Sequence, residues 1–532
     1  MRAESSTTRL LLAACQAGIL DEEPRALVDG ARRSGADPIA FATERARLPR
    51  EALYRALARI HGLEFCSADR LTASPELLEA ATPRLLLRKQ VLPLARLDGR
   101  VRVAVSDPED DSTLSALRRL YGELELVVGE PQAIRLALRR HGVSEGGDEP
   151  FDAVAFLDDL LHQAWLRRAS DVHFDPQPAG LVVRVRVDGE LGPTGGVLGE
   201  DEAAAALSRV KVLAGLDIAE RRFPQDGSFT HQVEGRTFDV RVATIPTRHG
   251  ERATLRLLGV EAEELTIERL GFPPQTLGKL REALTQPHGM VLLTGPTGSG
   301  KTTTLYAALR EITSPRCNVL TVEDPVERVI PGTSQVQVGG KVGFADVLRA
   351  LLRHDPDVVM VGEIRDAETA DVAVKAAMTG HMVLSSLHTN RASGAPARLI
   401  DLGCEPFLVA SVLRAALAQR LVRRLCVACR SPRQCAPAEL RAICPDADVA
   451  GGEVYDAAGC PACLGSGYLG RLALTEALWV EPTIREAIEA GAREEQVRQL
   501  SLAAGGLSLA ADGLAKVLAG DTSLAEALRA RI

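Results

Sequence analysis

The sequence predicts a multidomain α/β protein built around a P-loop nucleotide-binding core, and three observations carry that reading. At 532 residues the chain exceeds what one compact core holds, so about three or four domains are expected. Two stretches, from Val91 to His141 and from Val154 to Ile245, mix strand and helix patterns. The octet Gly295–Thr302 then reads G-x-x-x-x-G-K-T between a buried-strand pattern, Met290–Thr294, and a helix pattern, Thr303–Glu311.

Residues 1–82 read as helical and polar-rich. The leader MRAESSTTRLLLAACQAG is short and amphipathic, with Gln16 and Asp21-Glu22-Glu23 following at once, so it reads as a helix in place of a signal peptide. A small α/β domain spans 83–141. Val91–Arg96 and Arg100–Val105 are joined by the hairpin signal Asp98-Gly99, and helices Ser112–Leu120 and Pro131–Arg140 flank the strand Leu124–Val128. The polar, Gly-rich and acidic run from Gly142 marks a linker, 142–152. In a second α/β domain, 153–265, Val154, Leu157, Leu160, Leu161 and Trp165 mark one helix face. Val183, Val185 and Val187 point one way along their strand, Arg184 and Arg186 the other. The hairpin pattern Ser228–Ile245 closes this domain. The nucleotide-binding core is expected over 266–422, a cysteine-bearing element over 423–475 and a helical region over 476–532.

Composition narrows the function classes. Hydrophobic residues at 46% and charged residues at 25% suit a globular chain. A formal charge of −8, no long basic run and 3% aromatics argue against a nucleic-acid partner. No run of 18 apolar residues occurs, so no direct membrane span is expected. Ten cysteines in 532 residues are no disulfide scaffold, and two Cys-x-x-Cys pairs read as metal ligands.

The P-loop residues Gly295, Pro296, Thr297, Gly298, Ser299, Gly300, Lys301, Thr302 and Thr303 predict an ATP site. The glycines let backbone N–H groups close on phosphates, and the helix N-terminus adds its positive end. Lys301 is expected at the β- and γ-phosphates and Thr302 on Mg²⁺. Two more apolar strands end in acids: Val358–Val361 in Gly362-Glu363, and Leu320–Val322 in Glu323-Asp324-Pro325. Glu363 is the expected water-polarising carboxylate, with Glu323 as a second catalytic candidate. Glu323 and Asp324 are candidates to help hold Mg²⁺, because Gly362 stands where an acid is usual. His388 follows the strand Met382–Leu387, where a γ-phosphate sensor would stand. Cys426, Cys429, Cys460 and Cys463 form two thiolate pairs 30 residues apart that can complete a tetrahedral Zn²⁺ site, with Cys435 and Cys444 as rival ligands.

Together these motifs resemble the bacterial type II secretion and type IV pilus assembly ATPases. Over about residues 83–475, TVEDPVE (Thr321–Glu327) is similar to the family's Asp box, DPDVVMVGEIRD (Asp355–Asp366) to its Walker B box and GHMVLSSLHTN (Gly380–Asn390) to its His box. LAQRLVRRLC (Leu417–Cys426) leads into a tetracysteine element like that of the secretion and pilus-extension members. SDVHFDP (Ser170–Pro176) and RVRVDGEL (Arg184–Leu191) resemble the domain preceding the ATPase core, and His249-Gly250-Glu251-Arg252 looks like the secretion branch. Departures are Ser228, after Pro224-Gln225-Asp226-Gly227, where the family usually has Arg, and Arg391 after His388-Thr389-Asn390, where Asp is usual. The first 80 residues carry little of the resemblance.

The resemblance implies a RecA-like core preceded by a PAS-like domain, a homohexamer, and a cytoplasmic location at the inner membrane reached through partners. Those partners are an inner-membrane platform protein and the cytoplasmic domain of a membrane-anchoring secretion protein. Hydrolysis would drive pseudopilus assembly and protein export; a type IV pilus extension motor shares the chemistry, and a DNA-transfer ATPase is more remote. Phosphoryl transfer also calls for arginines from outside the P-loop. Arg222 and Arg241 in the second domain, and Arg349 and Arg353, four apart in a helical pattern, are the candidates. The resemblance favours Arg241, Arg349 and Arg353.

Overall fold

In this computed structural model residues 6–141, 143, 151–233, 236–259, 266–339 and 342–530 are described. Most of the expected linker, 142–152, and the boundary at 265 lie outside them. The chain forms two units, Met1–Glu261 with Gly459–Ser466, and Ala262–Ala458 with Gly467–Ile532.

In the first unit, helices Ser6–Gln16, Pro24–Ser34, Pro38–Ala46 and Arg50–Ile60 bury Leu10, Leu11, Leu27, Leu53 and Leu57 in a common cluster. A four-stranded sheet follows in the order β1-β4-β3-β2, from β1 (Glu64–Phe65), β2 (Val91–Leu97), β3 (Arg100–Val105) and β4 (Leu124–Val128). Asp98 and Gly99 take φ of 47° and 78° at the β2–β3 turn, the left-handed pair that a two-residue hairpin needs. Strand β1 lies within the stretch read as helical. Two residues are too few to show a period, and the pairing with β4 defines them.

The six-stranded sheet is antiparallel throughout, in the order β7-β6-β5-β10-β9-β8. Its strands are β5 (Ala169–Gln177), β6 (Gly180–Val187), β7 (Glu190–Leu198), β8 (Gln225–Val233), β9 (Arg236–Thr247) and β10 (Gly250–Leu258). One face buries Val172, Phe174, Val183, Val185, Val240 and Leu255 with the helix Ala153–Leu166. Asp152 caps that helix by accepting from the N–H groups of Val154 and Ala155, both at 3.0 Å. Of the expected face, Leu157, Leu160, Leu161 and Trp165 are buried. Val154, in the first turn, is exposed.

The second unit holds a seven-stranded sheet in the order β13-β12-β14-β15-β11-β16-β19. Its strands are β11 (Gly289–Thr294), β12 (Val319–Glu323), β13 (Thr333–Gln337), β14 (Val358–Val361), β15 (Met382–Leu387) and β16 (Leu413–Leu425), with β19 (Tyr468–Trp479) after the small hairpin β17 (Arg430–Cys435) and β18 (Gly452–Ala457). Pairing is parallel except between β16 and β19. All residues of β11, β12, β14 and β15 are buried, as a parallel sheet covered on both faces requires. Alternate residues of β11 divide between the two cores: Met290 and Leu292 pack with the helix Ala367–Met378, and Val291 and Leu293 with the helix Lys301–Ile312. The expected core boundary at 422 falls inside β16, and β19 completes the sheet from beyond it. Among the described residues no helix is long and apolar enough to cross a membrane.

Candidate functional site

Strand β11 ends at Thr294 and the next helix begins at Lys301, so the six residues between must turn back tightly. Gly295, Gly298 and Gly300 supply φ of 141°, 77° and 86°. At Gly295 a Cβ would sit 2.6 Å from both the Gln419 carbonyl and Ser299 Oγ, and at Gly300 one would sit 2.8 Å from Gln419 Nε2. The three glycines leave room for backbone N–H groups to form a cradle above the helix start. Ser299 Oγ and Thr294 Oγ1 are buried there without a protein partner. Lys301 Nζ donates to the carbonyls of Gly295 at 2.8 Å and Pro296 at 3.0 Å. Burial pushes its pKa down, opposed by the charge of Glu363. Orphaned hydroxyls and an ammonium held only by carbonyls fit a polyphosphate.

Beyond β14, Ser385 Oγ donates to the Val361 carbonyl at 2.7 Å and Ser386 Oγ to that of Gly362 at 2.8 Å, fixing the turn that presents Glu363. Glu363 accepts from His388 Nε2 at 2.8 Å and pairs with Arg365. Burial opposes its charge, and these two donors overcome it, holding the carboxyl below the usual glutamate range. Glu363 is therefore ionised at neutral pH and able to accept a hydrogen bond from water, with His388 beside it. Lys301, Glu363 and His388 are thus brought together.

The other sequence candidates fare differently. Glu323 is buried, and its oxygens accept from Tyr306 Oη, from Thr321 Oγ1 at 2.6 Å and from Gln335 Nε2 at 3.0 Å. Its carboxylate is spent on fixing the strand end, whereas Asp324 beside it is exposed and lies in the field of Arg365. Thr302 and Thr303 are partly exposed at the helix start. Arg349 pairs with Glu368 at 2.7 Å. Arg353 lies two residues past the end of the helix Phe344–Leu351, and its guanidinium donates back to the Arg349 carbonyl at 3.2 Å. In the first unit Arg222 is exposed and paired with Glu220 at 3.0 Å. Arg241 on β9 stands directly across from Ser228 on β8, so an arginine at 228 would have faced a like charge.

Three polar residues near the P-loop were not singled out from sequence. Gln419 on β16 accepts from Thr304 Oγ1 at 2.9 Å, tying that strand to the P-loop helix. Arg420 lies beside Gly295. Glu476 on β19 accepts from the N–H of Ala392 at 2.9 Å, holding the loop that follows His388. For Gln419 and Arg420 the signal was polar residues inside the apolar strand of Leu417–Cys426.

The ligand atoms of Cys426, Cys429, Cys460 and Cys463 lie within 4.8 Å of one another. Cys460 Sγ and Cys463 Sγ are 3.7 Å apart, close to the edge of a tetrahedron with Zn–S bonds of about 2.3 Å. The turn φ of 88° at Gly459 and 78° at Gly465 permits this close approach. Cys435 and Cys444 stand outside the cluster, in a separate apolar core with Leu440 and Val517.

Comparison with known proteins agrees with this geometry. The family model described as Type II/IV secretion system protein matches residues 147–529, and the MshEN domain model matches 61–148. The type II secretion system protein HxcR of Pseudomonas aeruginosa is 44% identical over 436 residues, 80% of this chain and 88% of that protein. The type II secretion system ATPase E of Vibrio cholerae is 47% identical over 380 residues, 71% of this chain and 75% of that protein. The X-ray structure of the Legionella pneumophila ATPase DotB covers 72% of this chain and 96% of its own, at 22% identity and a TM-score of 0.52, a likeness of fold. The chain is therefore a multidomain α/β member of the type II/IV secretion system protein family, with an MshEN domain ahead of an ATPase core.

Proposed function

We propose that the chain hydrolyses ATP at this P-loop to drive pseudopilus assembly and protein export by a type II secretion system. The observation that supports it most is the convergence of Lys301, Glu363 and His388 beside two orphaned hydroxyls. Lys301 exchanges its carbonyl partners for phosphate oxygens. Glu363 orients and deprotonates water, and His388 holds Glu363 in place and reports the terminal phosphate. Thr302 and Asp324 would hold Mg²⁺, which neutralises phosphate charge when bound with ATP. We assign Glu323 to positioning, through Tyr306 and Gln335. Cys426, Cys429, Cys460 and Cys463 would hold Zn²⁺ as a structural ion.

In this reading the seven-stranded sheet is the RecA-like core and the six-stranded sheet the PAS-like domain. The chain works as a homohexamer completed by arginines among Arg222, Arg241, Arg349 and Arg353. It acts in the cytoplasm at the inner membrane, on a platform protein and the cytoplasmic domain of an anchoring protein. A type IV pilus extension role is the second reading, because the pilus assembly ATPase PilB of Thermus thermophilus is 40% identical over 445 residues. Recovery of the full-length chain from membranes decides between them. Secretion components should co-purify, and pilin-assembly components in their place would overturn the first reading.

A further inference from the structure

We infer that Arg420 is a phosphate ligand supplied by the same chain, directed at the terminal phosphate of ATP; this rests on the P-loop being the nucleotide site. Arg420 lies on β16, two residues past Ala418, which pairs with Thr294 at the end of β11. Its guanidinium therefore reaches the start of the P-loop. A Cβ at Gly295 would lie 3.1 Å from Arg420 Nη1, so the missing side chain at 295 is what gives the guanidinium its room.

The half-buried Arg420 guanidinium has three hydrogen bonds in the structure. Nη1 donates to the Gln419 carbonyl at 3.1 Å, and Nη2 to Asn390 Oδ1 at 3.1 Å and to the Asn390 carbonyl at 3.4 Å. All are neutral acceptors. The acid in its field, Glu476, is committed to the N–H of Ala392 at 2.9 Å. Arg423 and Arg433 in this unit take carboxylates, of Glu526 at 2.7 Å and Glu439 at 3.1 Å, whereas Arg414 takes the His288 and Ser411 carbonyls and, unlike Arg420, lies away from the P-loop. Burial lowers the Arg420 pKa and the Glu476 charge only opposes it, so an anion bound directly at the guanidinium would add charge-assisted hydrogen bonds that its neutral acceptors do not give.

Two further observations give the direction. Arg420 acts on Lys301 as a like charge, so both cations address one region. Asn390, which Arg420 holds, comes two residues after His388, the partner of Glu363. An anion bridging Lys301 and Arg420 would lie between the P-loop and the His388 loop, on the side where Glu363 presents a water. In the structure Arg420 is parked on Asn390. On binding, its fork turns onto phosphate oxygen, and the Asn390 loop senses the change.

The test is equilibrium binding of a non-hydrolysable ATP analogue and of ADP to the full chain carrying Arg420→Gln, Arg420→Lys or Asn390→Ala. Arg420→Gln should weaken the ATP analogue by about tenfold or more, as loss of a charge-assisted hydrogen bond does, and ADP by less than about threefold. Arg420→Lys should recover part of the loss, because charge returns without the fork. Asn390→Ala should keep affinity within about twofold of wild type, since it removes the parking site and not the cation. Unchanged melting of the second unit separates these effects from misfolding. Wild-type affinity in Arg420→Gln, equal losses for ATP and ADP, or an Asn390→Ala loss matching that of Arg420→Gln would each overturn the assignment. Lys301→Ala is measured alongside. Wild-type binding by that variant would sink the P-loop reading itself, whatever Arg420 does.

Discussion

Gly295→Ala isolates the steric logic of the P-loop. At φ 141° an L-residue is strained, by about 1–2 kcal/mol. The added methyl also meets the Gln419 carbonyl and Ser299 Oγ, each at 2.6 Å. Gln419 belongs to β16, clamped between β11 and β19, so its carbonyl cannot retreat and the loop must move. Overpacking of that kind adds about 2 kcal/mol. The sum, about 3–4 kcal/mol, corresponds to a loss of nucleotide affinity of about a hundredfold or more. Gly298→Ala is the control, because its φ is 77° and a Cβ there meets nothing within 4 Å. Strain alone, about 1–2 kcal/mol, should cost about tenfold. Titration with a fluorescent ATP analogue measures both. Melting of the second unit should hold, since the loop lies outside its apolar core. Gly295→Ala binding within about threefold of wild type would refute the argument that β16 backs the loop rigidly.

Four other outcomes are expected. Glu363→Gln should bind ATP and fail to turn it over. Because Arg365 and His388 hold the Glu363 carboxyl low, the wild-type rate should show no protonation of this group between pH of about 5 and 7. Metal analysis should find one zinc per chain, lost when Cys460 and Cys463 are replaced by serine and kept when Cys435 and Cys444 are. An Arg241→Ala chain mixed with a Lys301→Ala chain should recover activity that neither has alone, if arginines complete sites across subunits; full activity in a strictly monomeric preparation would end that idea. In the first unit, burial opposes charge on Glu51, but Arg167 at 2.6 Å and Arg55 at 2.7 Å hold its carboxyl below the usual 4.5. A lowered folded pKa gives stability that is complete above the unfolded value and fades as pH falls through the folded one. Melting should therefore be flat from pH about 7 to 5 and drop below about 4. Glu51→Gln should cost about 3 kcal/mol at neutral pH, and a wild-type melting curve would contradict this.

Strands β11, β12, β14 and β15 were legible because each is buried on both faces, and because β11, β14 and β15 end in residues whose chemistry stands out: a glycine cradle, Glu363 and His388; the polar β13 carries no such pattern and was not read as a strand. What could not be read was direction. An acid at the end of β12 looks the same in sequence whether it faces solvent or, as Glu323 does, turns inward to Tyr306. The periodicity around Arg349 and Arg353 runs through the helix end at Leu351, and Arg353 falls just beyond it. Gln419 and Arg420 were hidden because a polar pair inside an apolar strand is ordinary until the neighbouring strand is known.

The antiparallel return of β19 alongside β16 has a consequence for how this chain can change. The N–H of Cys426 bonds the Gly467 carbonyl at 2.9 Å, so the stretch between them leaves and re-enters the sheet at one point, like a pendant on a closed clasp. Residues can be added or deleted within the pendant without shifting the strand that backs the P-loop, because loop closure costs only about 0.6 kcal/mol per doubling of length. A chain cut before Tyr468 would instead leave β16 as a bare edge, with its row of unpaired peptide groups open to other chains. The segment from Tyr468 onward is thus the flank that closes the open edge of the nucleotide-binding sheet.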